Sequence, residues 1–167
     1  MTKDVSVLAF DLGAESGRAM LGTLKEGRLE LKELYRFANR PVRLPDGLHW
    51  DLLHLWTEMM NGLAQVAKLP DVRIDSIGLD TWGVDFALLD SNGALVGLPY
   101  HYRDSRTDGM MEAAFARVPR EEIFAATGIQ FMQINTLFQL FSMVQHQSPS
   151  LEIASSFLTI PDLLNYW

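Results

Sequence analysis

Apolar side chains in the first 37 residues fall into three runs, at positions 5–10, 18–24 and 29–37, separated by short polar or glycine-containing turns. Runs of this length, rich in Val, Leu and Phe, read as strands, so the pattern predicts a three-strand meander. Residues 38–49 carry Pro41, Pro45 and Asp46-Gly47 and predict a loop. The period then changes. Leu52, Leu55, Trp56, Met59, Met60, Leu63, Val66 and Ala67 recur at helical spacing behind Asp51, a residue type suited to a helix N-cap. The Met and Trp members of that stripe are read as core packing. Positions 73–80 predict another strand, and 85–89, Ser91-Asn92-Gly93 and 94–96 predict a hairpin with Asn-Gly in its turn. Beyond Pro99 the pattern predicts helices over 107–117, over 120–127 ended by Gly128, and over 135–146. The last has Asn135 as its cap and Leu137, Leu140, Phe141 and Val144 on one face. Residues 157–161 read as a connection and 162–167 as the opening of a helix. Three strands, a crossover helix and a further strand make an α/β layer fold the expected class.

The first turn of the meander is the most informative segment for chemistry. One apolar run delivers Asp11 into a turn holding Gly13, Ser16 and Gly17, with Arg18 opening the next run. Glycines let main-chain N–H groups converge without a Cβ in the way, which suits an anion. A carboxylate at such a place repels phosphate unless a divalent cation, typically Mg²⁺ held through water, lies between them. The competing reading is a tight hairpin whose Asp caps its own turn. A P-loop is excluded, since no Gly-Lys-Ser/Thr follows and the glycines lead into a strand.

Asp11-Leu-Gly-Ala-Glu-Ser-Gly-Arg18 resembles the first phosphate-binding hairpin of the actin, Hsp70 chaperone and sugar-kinase superfamily. Three further strings narrow the resemblance: Ile74-Asp-Ser-Ile-Gly-Leu-Asp-Thr-Trp-Gly-Val-Asp-Phe86, Gly97-Leu-Pro-Tyr-His-Tyr-Arg-Asp-Ser-Arg-Thr107 and Gly128-Ile-Gln-Phe131. In order and spacing the whole chain is similar to the N-terminal part of the FGGY carbohydrate kinases, on their rhamnulokinase side, with positions 80–85 the most specific. The resemblance implies a ribonuclease-H-like domain and transfer of the ATP γ-phosphoryl to the primary hydroxyl of a ketose, L-rhamnulose, with ATP and Mg²⁺ required. It assigns Gly13, Ala14, Glu15, Ser16, Gly17 and Arg18 to the ATP phosphates and Asp11 to Mg²⁺ through water. Gly83 and Trp82 go to the sugar. Glu15 departs from expectation, because a carboxylate beside phosphate is unfavourable unless it points away. The resemblance also implies that residues 1–167 lie inside the first of two kinase domains. The general base and the adenosine pocket are then expected beyond Trp167, these residues alone should be inactive, and Leu163, Leu164, Tyr166 and Trp167 should lack partners.

Alternatives stay open at several positions. Trp82 either offers a ring face to sugar C–H groups or is a half-buried core aromatic. Asp80 and Asp85 either bind sugar hydroxyls or cap turns. Tyr102-Arg-Asp-Ser-Arg106 either shapes the sugar pocket or supplies, through Asp104, the cap of the next helix. The competing functions are another FGGY ketose or polyol kinase and a non-catalytic nucleotide-binding module of the actin or chaperone kind. The latter has no reason to carry Thr81-Trp-Gly83 beside the hairpin.

Composition limits the partners. With 14 basic against 21 acidic residues, net charge −7, the chain lacks the basic surface expected of a nucleic-acid or anionic-membrane binder. There is no cysteine, hence no disulfide, thiol nucleophile or Cys-dependent zinc site. His49, His54, His101 and His146 show no metal-ligand spacing, and no Gly-x-Ser-x-Gly elbow is present. With no visible secretory signal and no run of transmembrane length, a cytoplasmic location is expected.

Overall fold

A computed structural model describes residues 4–167. In chain order its first elements are β1 (Val5–Leu12), β2 (Ser16–Lys25), β3 (Arg28–Ala38), β4 (Pro41–Leu44), β5 (Gly47–Trp50) and α1 (Leu52–Val66). They are followed by β6 (Ser76–Asp80), β7 (Phe86–Leu89), a 3-10 turn (Ser105–Thr107), α2 (Met110–Phe115) and α3 (Arg120–Thr127). The last are α4 (Thr136–Gln145), α5 (Ser150–Ile153), β8 (Ser156–Thr159) and α6 (Ile160–Tyr166). These elements form two units. One is the chain up to Arg40 with Asp51–Trp82 and Ile160–Trp167; the other is Pro41–Trp50 with Gly83–Thr159.

The first unit is a four-stranded sheet in the order β3-β2-β1-β6. β1, β2 and β3 make the expected antiparallel meander, and β6 returns parallel to β1 after α1. α1 starts as the pattern predicts: the Asp51 carboxylate accepts from the His54 N–H at 3.0 Å. The helix lies close on the sheet at Gly62, where a Cβ would sit 3.0 Å from both Ala19 and Phe10. Leu52, Leu55 and Met59 are buried there, whereas Met60 is exposed. Leu163 and Leu164 of α6 are fully packed, contrary to the expectation that the chain's end leaves them bare. Tyr166 is exposed, and Trp167 sits edge-on to Trp56 with ring centroids 5.8 Å apart.

The second unit departs further from the pattern. Residues 38–49, expected as a loop, contain the β4–β5 hairpin; Pro41 stands at a strand's first position, where its missing N–H costs nothing. The Asn92-Gly93 turn forms, with Asp90 accepting from the N–H of Asn92 and of Ala94. Its return arm is only a bridge at Leu95, and the full partner of β7 is β8, antiparallel. The predicted helix over 107–117 is shorter, because Asp104 caps the 3-10 turn instead, accepting from the Arg106 N–H at 2.9 Å. α3 ends at Gly128 in the left-handed conformation, as expected. Asn135 precedes α4 but makes no side-chain cap. α4 is also turned: Phe138, Gln139, Ser142 and Met143 are buried, while Leu137 and Val144 are exposed.

Candidate functional site

Asp11 lies near the end of β1 on the face opposite Phe10 and Leu12, which are both in the core. It pairs in register with Arg18 on β2 and, on its other side, with Asp80 at the end of β6. Because β1 and β6 are parallel, the Gly13 turn and the Thr81-Trp82 segment leave the sheet at the same end. The Asp11 carboxylate accepts from the Arg18 guanidinium in a half-exposed ion pair.

The turn is three residues long, closed by a hydrogen bond from the Gly13 N–H to the Ser16 carbonyl at 2.9 Å. The N–H groups of Ala14 and Glu15 find no acceptor among the described residues. The Glu15 side chain is exposed. Gly13 and Gly17 have separate duties. A Cβ on Gly13 would make ordinary contact with Ser16, leaving the outer side of the turn open. A Cβ on Gly17 would lie 2.2 Å from the Phe37 ring and 2.8 Å from Leu12, so Gly17 belongs to the packing beneath the turn.

Asn39, which sequence reasoning missed, holds the turn from the β3 side. Its side-chain amide donates to the Gly13 carbonyl at 2.8 Å, and its backbone N–H donates to the Glu15 carbonyl at 2.9 Å. Its own side-chain oxygen is buried without a partner, which buried polar atoms seldom are. Arg36 was missed as well; it stands opposite Arg18 on β3, and its Nη1 donates to the Ser16 hydroxyl at 3.4 Å. Along Arg36-Phe-Ala-Asn39 the strand buries Phe37 and Asn39 and exposes Arg36 and Ala38, so Arg36 and Asn39 lie on opposite faces.

The sugar-side residues divide between the units: Trp82 closes a segment of the first and Gly83 opens a segment of the second. Trp82 is half-buried. Gly83 is exposed, with nothing within 4 Å of the place a Cβ would take. Val84 has φ 72°, a conformation that β-branched residues strongly avoid. Its carbonyl is held from α4 by the Thr136 hydroxyl at 2.7 Å and the Gln139 amide at 3.2 Å.

Asp85 is 1% exposed, and its carboxylate is taken up inside the unit. It accepts from Trp50 Nε1 at 2.6 Å, from the Gln139 amide at 2.8 Å and from the Tyr102 N–H at 3.3 Å. That removes the sugar-hydroxyl reading of Asp85. The Gln139 oxygen in turn accepts from Arg106 at 2.6 Å, and the Arg106 guanidinium lies over the Tyr100 ring at 4.1 Å. Burial lowers the Arg106 pKa from its ordinary value. His101 stacks on Trp50 with centroids 4.1 Å apart, and its Nδ1 accepts from the Arg103 N–H at 3.0 Å. Burial first, then the Arg103 charge, push the His101 pKa down to about 4.

Residues 6–167 match the N-terminal domain of the FGGY family of carbohydrate kinases. The chain belongs to that family. Among curated relatives it is 45% identical over 163 residues to a rhamnulokinase of Pectobacterium atrosepticum, covering 96% of this chain and 33% of that protein. It is 45% identical over 158 residues to a rhamnulokinase of Bacteroides thetaiotaomicron, covering 95% and 32%. This FGGY chain thus spans about a third of the length of the curated relatives it matches. Among solved structures, a gluconate kinase from Lactobacillus acidophilus superposes with TM-score 0.83 at 13% identity, covering 98% of this chain and 33% of that one. A glycerol kinase from Plasmodium falciparum, solved with ADP, gives 0.76 at 17% identity, covering 96% and 33%. The fold is that of the sugar kinases.

Proposed function

We propose that these residues belong to an ATP-dependent sugar kinase that phosphorylates L-rhamnulose at its primary hydroxyl. The observation that carries the reading is the register of Asp11 with Asp80. It puts Asp11, just before the turn assigned to phosphate, beside Asp80, the first residue of the string assigned to the sugar, and so supports a shared site. The identity to rhamnulokinases over almost the whole chain supports the choice of sugar.

The residues suit a metal-bound polyphosphate. Two carboxylates stand side by side, and no cluster of three possible metal ligands occurs among the described residues. That suits Mg²⁺, which keeps most of its water, better than a metal caged by protein. Asp11 and Asp80 would hold the ion through water, where it would neutralise charge on the phosphates. The Ala14 and Glu15 N–H groups, the Ser16 hydroxyl and the Arg18 guanidinium would bind phosphate oxygens. Asn39 would hold the turn so that these donors point outward. Gly83 leaves its backbone open to a sugar, with Trp82 beside it in sequence. Phosphoryl transfer asks the protein chiefly for positioning and charge stabilisation, and those are the duties given to these residues. None is assigned the general base.

The test is ADP release by the full-length protein with MgATP and a panel of L-rhamnulose, D-xylulose, gluconate and glycerol. Preference for L-rhamnulose is the expected result. Preference for another sugar would keep the kinase and move it within the family, while sugar-independent hydrolysis would favour the nucleotide-binding module.

A further inference from the structure

We propose that Arg36 of β3 is a second guanidinium of the phosphate site, acting on the terminal phosphates of ATP beside Arg18; the proposal rests on the kinase reading above. Asp80 pairs with Asp11, Asp11 with Arg18, and Arg18 with Arg36. Directly paired residues project from the same face of a sheet, so the four side chains form one row across four strands. The row runs from two carboxylates to two guanidiniums. At ~4.8 Å per strand it is about 14 Å long, enough to meet a metal ion at one end and phosphate oxygens at the other.

The Arg36 guanidinium is also aimed. Glu33 accepts from its Nε at 3.0 Å and its Nη2 at 2.6 Å, which fixes the plane and leaves Nη1 directed at Ser16 in the turn. Such a fork loses little further freedom on binding an oxyanion, and it matches one geometrically. The hydrogen bond from Arg36 holds the Glu33 carboxyl below its usual range, and Glu33 raises the Arg36 pKa, so both stay charged near neutrality. Half of the Arg36 side chain is exposed, so an anion can reach it.

A plain surface ion pair with Glu33 accounts for the clamp but not for the position. Like charges directly opposite each other on a sheet are unfavourable, and Arg18 and Arg36 are such a pair. Asp11 and Glu33 each offset one of the two charges, and an anion received between the guanidiniums would meet both. Arg18 is engaged by Asp11, which leaves Arg36 as the guanidinium not already committed to the metal-side carboxylates.

The test compares equilibrium binding of ADP, MgATP and adenosine to the full-length wild-type protein and to Arg36→Met, Arg36→Lys and Arg18→Met. Arg36→Met should weaken ADP and MgATP by about tenfold, the scale of one charged hydrogen bond, and leave adenosine affinity, sugar KM and melting temperature unchanged. Arg36→Lys should recover part of the loss. Equal losses for adenosine and ADP, or no loss in Arg36→Met while Arg18→Met still weakens ADP, would overturn the assignment to Arg36 and leave the kinase reading standing. If Arg18→Met and Ser16→Ala also leave ADP binding untouched, the reading of the turn itself fails, and Arg36 with it.

Discussion

Gly17 and Gly83 are both demanded by their surroundings, for opposite reasons. Gly17 is pressed by the Phe37 ring and Leu12, so even Ala there forces the core beneath the turn to move. Overpacking of that kind costs about 1–3 kcal/mol, and Gly17→Ala should lower the melting temperature measurably. Gly83 has empty space where a side chain would go. Gly83→Val should therefore fold with an unchanged melting temperature and raise sugar KM by about tenfold or more, which steady-state kinetics would read. Asp11→Asn keeps the shape and removes the charge; kcat should fall by roughly 100-fold with sugar KM held, since Asp11 is assigned to the metal and not to the sugar. Sequence reasoning could name Asp11 and Gly17 because Asp and Gly in a turn announce backbone and charge requirements locally, whereas Gly83 was named through the family resemblance. It could not separate the two kinds of glycine, because Phe37 lies 20 positions from Gly17.

At the scale of elements, α4 is the informative case. Its apolar stripe was legible, yet the buried side includes Gln139 and Ser142 in place of Leu137 and Val144. What turns the helix is a polar demand elsewhere: the strained Val84 carbonyl and the buried Asp85 carboxylate both need donors, and Gln139 supplies them. Gln139→Met keeps the volume and withdraws the donors. Stripping a donor from a buried charged group costs roughly 1–3 kcal/mol, and sugar KM should rise more than ATP KM because the Val84 turn adjoins Gly83. His101 gives the same unit a pH dependence. Its pKa, depressed to about 4, lies below the ordinary histidine value of about 6.5. Between those pH values the unfolded chain binds a proton that the folded unit refuses. Stability is therefore full above pH ~6.5 and declines as pH falls toward 4. Denaturant midpoints at pH 7 and pH 5 should differ, and less so in a His101→Phe variant.

For the molecule as a whole, the span of about a third of its curated relatives' length shapes the last expectation. The 167-residue chain alone should release less sugar-dependent ADP than the full-length protein, which a coupled assay on both would read. It also exposes Leu29, Leu31 and Ile77 on the sheet and Leu137 and Val144 on α4. Sedimentation should show self-association that grows with concentration.

The sequence by itself determined the meander, the capped helix α1, the strand that follows it and the string of residues around Asp11, because period, caps and turn residues act within a few positions of each other. The tertiary structure alone decided the rest. The β4–β5 hairpin and the β7–β8 pairing are contacts in which one strand's hydrogen bonds are completed by another, and for β7 and β8 the partners lie about 70 positions apart. Asn39 and Arg36 entered the candidate site because β3 runs beside β2, a neighbour relation that sets Arg36 opposite Arg18 and brings the Asn39 amide to the Gly13 carbonyl. Asp85 left it for the same kind of reason: Trp50, Tyr102 and Gln139 converge on its carboxylate from three separate stretches of chain and hold it buried inside the unit.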